Sequence, residues 1–239
     1  MAGHSHWAGI KHKKGKADKL RSKIFSKLSK EITVAAKLGD KDPEMNPRLR
    51  SAVQAARSAN MPKENIERAI KKASNKSTEN LKEMIFEGYA PYGIAVLIEV
   101  TSDNKNRSVA NIRSYFNKAK GSMGISGSVD FMFERICSFR LNKENHDLNQ
   151  IELDFIDFGV EDIINEDDEI IMFASFDNYG IIQKELEKRN IEIISSSFER
   201  IPISPKRLNN EQQTAVEEFI KKIEEDEDVQ KVFHSMIID

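Results

Sequence analysis

The sequence is poor in cysteine and in long apolar runs. Cys137 is the only cysteine, which excludes an internal disulfide and a cysteine-based zinc site and suits a reducing cytoplasm. No apolar run approaches the roughly 20 residues that cross a bilayer, so we expect no membrane partner. The basic start lacks the apolar segment of a secretory signal. These absences predict that the chain of 239 residues is a water-soluble, cytoplasmic protein.

The sequence also lacks H-E-x-x-H, Walker A and G-x-S-x-G motifs. Gly121, Gly124 and Gly127 are spaced like a phosphate loop, but they follow a predicted helix and precede a strand, the reverse of the order that such a loop needs. We interpret them as a helix-to-strand connection, with exposed contact to RNA or a partner as the alternative. We therefore predict no enzymatic activity, catalytic residue or cofactor; an unrecognised hydrolase in the C-terminal half is the rival hypothesis.

No metal site is predicted either. The run Glu166–Glu169 lacks the spaced ligands of a calcium loop and is interpreted as an exposed turn. One alternative stays open at the start of the sequence. If Met1 is removed, Ala2, Gly3 and His4 offer four nitrogens suited to square-planar copper or nickel.

Charge is abundant and unevenly distributed. The net charge is -2, yet residues 1–80 hold 19 Lys and Arg against 8 Asp and Glu, whereas residues 81–239 hold 18 against 31. The first part therefore carries +11 and the rest -13. Such a division is typical of a segment that binds a polyanion joined to a body that repels it.

The first 30 residues, which we call the basic segment, hold the candidate nucleic-acid contacts. Phosphates attract such a basic segment regardless of sequence, because each neutralised phosphate releases condensed counterions. An aromatic or imidazole ring among the lysines can stack on an unpaired base. The other interpretation is a solvated tail. The predicted contacts are Trp7, Lys11, His12, Lys13, Lys14, Lys16, Lys19, Arg21, Lys23 and Lys27.

Two further segments are candidate anion or RNA contacts. Asn104, Lys105, Asn106 and Arg107 lie between a predicted strand and a predicted helix, where a cap and positive charge meet the helix amide donors. A polar capping loop without a ligand is equally consistent with these residues. In GYAPYG, Tyr89 and Tyr92 can present rings for stacking, although half-buried tyrosines in a structural turn are more common.

The apolar spacing predicts a helical N-terminal part. A mobile basic arm over residues 1–16 precedes a helix from Ala17 to Leu38, which Gly39 ends. Asn46 and Pro47 predict the cap and first turn of a second helix, and Met61-Pro62 starts a third. We expect the three helices to pack through Ala, Leu and Ile.

Strands and helices alternate after residue 80. Strands are predicted over 94–100, 129–133, 136–141, 160–164, 170–176 and 191–198, with helices over 106–119, 148–158 and 178–190. The order β-α-β-β-α-β in the later part is ferredoxin-like. A helix over 211–225 and a strand over 229–233 are left to complete the earlier module.

The predicted fold class is therefore α+β: an N-terminal three-helix domain followed by two ferredoxin-like α/β domains, the middle one discontinuous. Its domains are residues 1–80, residues 81–134 with 206–239, and the inserted residues 135–205.

Several long blocks resemble the YebC/PmpR family in order and spacing. They are MAGHSHWAGIKHKKGKAD, KEITVAAKLGDKDPEMNPRLRSAVQAARSANMPKENIERAIKKA, FEGYAPYGIAVLIEVTSDNKNRSVANIR, GSVDFMFE and VQKVFHS. The sequence departs from the family pattern at His6, where Lys or Arg is usual, and at Ala90 and Tyr92 in a turn that is usually richer in glycine.

The resemblance implies three domains, the middle one discontinuous, and no catalytic activity or required cofactor. It implies a cytoplasmic DNA-binding transcriptional regulator. Related proteins include a mitochondrial translational activator. They imply instead a translation factor that associates with the ribosome, binds ribosomal RNA and relieves stalled translation. A protein adaptor that uses the acidic surface of the α/β part is a third hypothesis. The sequence indicates no oligomeric state.

Overall fold

The computed structural model describes residues 17–75, 81–143, 147–166 and 168–237, with side chains from residue 22 onward. Over these ranges the chain forms seven α-helices and two four-stranded sheets, which confirms the α+β class. The helices are α1 (Ala17–Leu38), α2 (Pro47–Ser58), α3 (Lys63–Lys72), α4 (Lys105–Lys118), α5 (Leu148–Phe155), α6 (Tyr179–Lys188) and α7 (Asn210–Glu224). The strands are β1 (Lys82–Ala90), β2 (Ile94–Ser102), β3 (Ser122–Met123), β4 (Phe133–Asn142), β5 (Val160–Glu166), β6 (Glu169–Ser175), β7 (Ile193–Pro202) and β8 (Val229–His234).

Asn46 connects the end of α1 to the start of α2. Its side-chain oxygen accepts from the backbone nitrogen of Leu49 at 3.1 Å and so caps α2, where Pro47 occupies the first turn as predicted. Its amide nitrogen donates to the carbonyls of Ala35 and Asp40 at 2.8 and 2.7 Å. One side chain therefore satisfies backbone groups at both helix ends.

Alanine and branched aliphatic side chains of the three helices are buried, in keeping with the predicted packing. The hydroxyl of Thr33 on α1 donates to the carbonyl of Ala69 on α3 at 3.0 Å. Alanine side chains at the contacts allow the helices to approach closely. The buried residues include Ile32, Ala35, Ala36, Leu49, Ala52, Val53, Ala56, Ile66 and Ala69.

The first sheet has the strand order β3-β1-β2-β8. β1 and β2 form an antiparallel hairpin at its centre, and β8 pairs with the far edge of β2. The C-terminal part of the chain therefore completes this sheet, so the middle module is discontinuous as expected. Helices α4 and α7 share one apolar core with the sheet. In this core the rings of Phe116 and Phe219 pack edge to face, with their centroids 5.1 Å apart.

The second sheet has the strand order β5-β6-β4-β7. With α5 and α6 between its strands, the chain order is β-α-β-β-α-β and the central strands are the first and third, as in ferredoxin-like folds. Its core includes the stacked rings of Phe139 and Tyr179, 5.0 Å apart. The first sheet differs, because a hairpin forms its centre and its order is β-β-α-β-α-β.

The described chain divides into two compact units. Unit 1 contains the described residues up to Lys30, Lys72–Glu134 and the residues from Ile201 onward; unit 2 contains Glu31–Lys71 and Arg135–Arg200. Within unit 2, Ser51 on α2 forms a hydroxyl–hydroxyl hydrogen bond of 2.8 Å with Ser196 on β7. The three-helix part is thus largely joined to the second sheet, and the domain boundaries read from the sequence stay predictions.

One predicted strand is wrong. Residues 129–133 alternate as a strand would, but Asp130–Met132 forms a short 3-10 turn and the strand starts at Phe133. Two strands were also missed, β1 and the two-residue β3.

Candidate nucleic-acid interface

Three of the described basic residues of α1 lie along one helix face. Lys23, Lys27 and Lys30 are spaced four and three residues apart, which places them on the same side of a helix. Lys30 Nζ donates to the carbonyl of Glu227 at 2.6 Å and to Asp228 Oδ1 at 3.2 Å. These contacts join α1 to residues 224–228, Glu-Glu-Asp-Glu-Asp, which we call the acidic turn.

The other two lysines of this face also reach the region of the acidic turn. Lys23 Nζ lies 3.5 Å from the carbonyl of Glu225, and Lys27 Nζ lies 3.4 Å from that of Gln230. Burial lowers the pKa of Lys27 below its ordinary value, although Glu224 opposes the shift. Lys27 thus has an internal role in positioning α1, whereas Lys23 is exposed.

The remaining predicted contacts of the basic segment stay predictions. Lys19 and Arg21 lie in the first turns of α1, where only the backbone is described. Six others lie outside the described residues: Trp7, Lys11, His12, Lys13, Lys14 and Lys16.

The start of α4 is an anion site that an internal carboxylate occupies. Asp228 Oδ2 accepts from Arg107 Nη2 at 2.8 Å, from Ser102 Oγ at 2.9 Å and from Ser108 Oγ at 3.2 Å. Burial of Asp228 raises the pKa of its carboxyl, but the hydrogen bonds from Arg107, Ser102 and Lys30 outweigh burial and lower the pKa below its usual value.

The four residues of the predicted anion-binding segment therefore have three different environments. Of the two predicted capping candidates, Asn104 and Asn106, it is Asn104 that caps α4, since its side-chain oxygen accepts from the backbone nitrogen of Arg107 at 3.1 Å. The guanidinium of Arg107 faces Asp228 and Asp103. Lys105 and Asn106 are exposed on the first turn of the helix. An external phosphate would meet Arg107 only in competition with these carboxylates.

The two tyrosines of the β1–β2 hairpin have different environments. Tyr89 is half-buried, and its hydroxyl lies 3.8 Å from the sulfur of Met132. Tyr92 is 45% exposed in the turn, with a φ of 65°. Lys206 Nζ donates to the carbonyl of Tyr92 at 2.6 Å. The ammonium group of Lys206 therefore lies beside the backbone of this exposed tyrosine.

A buried carboxylate organises residues 121–132, which we call the glycine loop. Glu87 is only 4% exposed. Its Oε1 accepts from the backbone nitrogen of Gly127 at 2.7 Å, and its Oε2 accepts from Val129 and Asp130 at 2.8 and 2.9 Å. Charge-assisted bonds of this kind are stronger than neutral ones. The loop is therefore held in one conformation around Glu87.

The glycine loop exposes apolar side chains that sequence reasoning missed. Phe131 is 71% exposed and Ile125 is 82% exposed. The alternating sequence placed Phe131 inside a strand, and nothing local identifies Glu87 as the partner of three amides 40 to 43 residues away. The glycine spacing alone indicated that this segment is unusual.

The described residues show neither a reactive thiol nor a metal cluster. Burial raises the pKa of the Cys137 thiol to about 12, and its sulfur lies 3.4 Å from the carbonyl of Ser175. Within the described ranges, no group of three or more His, Cys, Asp or Glu side chains is placed to hold a metal ion. Over the same ranges, no helix has the length and apolar character to cross a membrane.

Comparison with known proteins covers nearly the whole chain. Residues 5–76 match the model of the TACO1/YebC protein N-terminal domain, and residues 81–236 match that of the TACO1/YebC second and third domain. A probable transcriptional regulatory protein of Flavobacterium johnsoniae is 54% identical over 215 residues, which cover 90% of this chain and 91% of that protein. One of Pelagibacter ubique with the same description is 46% identical over 236 residues, covering 99% and 98%.

A solved structure is similar over the same extent. The crystal structure of a conserved hypothetical protein from Aquifex aeolicus matches with a TM-score of 0.82 and 40% identity, and the match covers 98% of each chain. The similarity therefore includes the helical part and both sheets.

Proposed function

The chain belongs to the TACO1/YebC family, and we propose that it is a non-enzymatic, nucleic-acid-binding regulator of gene expression in the cytoplasm. The observation that carries this proposal is the separation of charge along the chain, +11 over residues 1–80 and -13 over the rest. The relatives named as probable transcriptional regulatory proteins support the regulatory role and favour DNA as the target.

The charge separation defines how binding works. Lysines near the start of the chain attract phosphate and gain free energy from released counterions. The acidic remainder repels the same polymer, so the phosphate contacts are concentrated in the basic segment. Lys23 and Lys30 contact the acidic turn, and Lys27 contacts the nearby carbonyl of Gln230. We therefore assign the phosphate contacts mainly to Lys11, Lys13, Lys14, Lys16, Lys19 and Arg21.

Recognition depends on shape and charge more than on base sequence. Residues 1–16 contain lysines but no arginine, and arginine is the side chain best suited to read guanine edges. A ribosome-associated translation factor that binds ribosomal RNA is therefore the second candidate function. Trp7 and His12 favour it, because their rings can stack on the unpaired bases that RNA loops present.

A binding titration tests the proposal directly. We expect the full chain to bind duplex DNA or an RNA hairpin with log K falling against log salt at a slope of about -5 to -7, for six to eight phosphate contacts. Replacing Lys11, Lys13, Lys14 and Lys16 by Gln should reduce the slope by about 3 to 4. The matched control replaces exposed lysines elsewhere, namely Lys63, Lys71, Lys184 and Lys188. Affinity that is independent of salt, or equal loss in both variants, contradicts the proposal.

Crosslinking in cells distinguishes the two targets. Sequencing of both DNA and RNA bound to the chain should enrich promoter DNA for a transcriptional regulator, or ribosomal RNA for a translation factor. Enrichment of neither nucleic acid over the lysine-to-glutamine variant contradicts both.

A further inference from the structure

We propose that the glycine loop is a second nucleic-acid contact, which stacks an unpaired base on the ring of Phe131. This inference rests on the proposed function and names its target class, a nucleic acid with single-stranded bases. It assigns to the body of the protein a contact separate from the basic segment.

The exposure of Phe131 is exceptional for its residue type. The chain has 13 phenylalanines, all within the described residues, and the other 12 are buried or half-buried. Phe131 is 71% exposed, and Ile125 in the same loop is 82% exposed. Phe131 and Ile125 thus place two large apolar side chains on the surface of one loop.

The backbone on both sides of Phe131 is held by hydrogen bonds. The preceding nitrogen, that of Asp130, donates to Glu87 at 2.9 Å. The following residue, Met132, donates to the carbonyl of Val129 at 2.9 Å and accepts from the nitrogen of Ile203 at 2.9 Å. Because the loop is already ordered, stacking on this ring costs little conformational entropy.

The charges around the loop favour a base over other occupants. Residues 121–129 carry no charged side chain, and exposed Lys118 and Lys120 directly precede them, so flanking phosphates meet positive charge at the start of the loop. Asp130 and Glu134 lie close to Phe131 in sequence and disfavour a phosphate at the ring itself. The face of a base is uncharged, and any of the bases can stack on an aromatic ring.

Substitution of Phe131 tests the contact. The probes are an adenylate RNA strand of about 12 nucleotides and a duplex of the same length. Phe131→Ala should weaken binding of the single strand about 5- to 150-fold, the range for loss of one stacked base, and leave duplex binding unchanged. Phe131→Tyr keeps the ring and should bind like the original chain. Leu153→Ala is the matched control, because Leu153 is 70% exposed on α5, outside the glycine loop.

A fluorescence measurement reports stacking itself. Trp7 is the only tryptophan, so the double variant W7F and F131W carries a single indole in the glycine loop. We expect the adenylate strand to quench this fluorescence and the duplex to leave it unchanged. The same quenching at a tryptophan introduced in place of Leu153 would show that the signal is non-specific and would overturn the stacking contact.

The outcomes separate the two proposals. If Phe131→Ala binds the single strand as tightly as the original chain, the stacking contact is wrong while salt-dependent binding by the basic segment stands. A protein-binding role of the loop would give that same result. If the full chain binds neither probe at low salt, both proposals are wrong.

Discussion

Arg107 donates from both Nε and Nη2 to the same oxygen of Asp228, at 3.2 and 2.8 Å. The two residues are 121 positions apart, on α4 and in the acidic turn. Lys30 of α1 donates to the other oxygen of the same carboxylate. Asp228 therefore links three segments of unit 1 that are distant in sequence.

Replacing Asp228 by Asn should destabilise unit 1. The side chain of Asp228 is only 10% exposed, and the substitution removes the charge to which four side chains donate hydrogen bonds. We expect a loss of about 2 kcal/mol in the free energy of unfolding, measured by urea denaturation. Asp103→Asn is the control, because Asp103 pairs with the same Arg107 but is 56% exposed. Equal losses in the two variants would contradict a special role for Asp228.

The same carboxylate should make stability depend on pH in a defined direction. The pKa of Asp228 is lowered in the folded chain from an ordinary value of 3.8. A depressed carboxyl pKa adds stability above the unfolded value and loses it as the pH falls through the folded value. The stability difference between the original chain and Asp228→Asn should thus be full at about pH 7 and shrink below about pH 4. A difference that grows on acidification would contradict this assignment.

Replacing Glu87 by Gln should loosen the glycine loop. Both carboxylate oxygens of Glu87 accept backbone hydrogen bonds. In glutamine an NH2 group replaces one of these oxygens, and it points its own N–H at a backbone N–H from which it cannot accept. We expect amide hydrogen exchange at Gly127, Val129 and Asp130 to quicken about 10-fold or more, for a loss of about 1–3 kcal/mol. Glu83→Gln at the exposed end of β1 is the control. Unchanged exchange at all three amides would show that Glu87 does not hold the loop.

Local sequence signals predicted the helices well. The apolar spacing and Gly39 predicted α1 with the bounds that the structure shows, and Asn46 and Pro47 predicted the start of α2. These signals are reliable because capping and helical periodicity depend on residues a few positions apart. The α+β class followed from the same kind of pattern.

Contacts between distant segments could not be predicted in this way. Val129, Phe131 and Phe133 alternate as one face of a strand, yet Val129 and Phe133 are 0% and 6% exposed whereas Phe131 is 71% exposed. The difference arises because Glu87 holds the backbone in a turn that interrupts the alternation. The contacts of Lys27 and Arg107 with the acidic turn region likewise depend on tertiary packing, which charge counting does not show.

Gly39 and Gly180 should respond in opposite ways to replacement by alanine. A Cβ at Gly39 would lie 2.6 Å from the amide nitrogen of Asn46, so that side chain must shift and lose its bonds between α1 and α2. A Cβ at Gly180, on α6, meets nothing within 4 Å. We expect Gly39→Ala to destabilise the chain by about 1–3 kcal/mol and Gly180→Ala to stabilise it by about 0.5–1 kcal/mol.

Urea unfolding followed by circular dichroism measures both effects within unit 2, to which both glycines belong. The size of the Gly39 effect also reports on Asn46, since Asn46→Ala removes the same hydrogen bonds directly. The double variant Gly39→Ala with Asn46→Ala should then lose less than the sum of the single losses, because one set of bonds cannot be lost twice. Full additivity would show that the alanine methyl at residue 39 acts on some other contact and leaves the Asn46 cap intact.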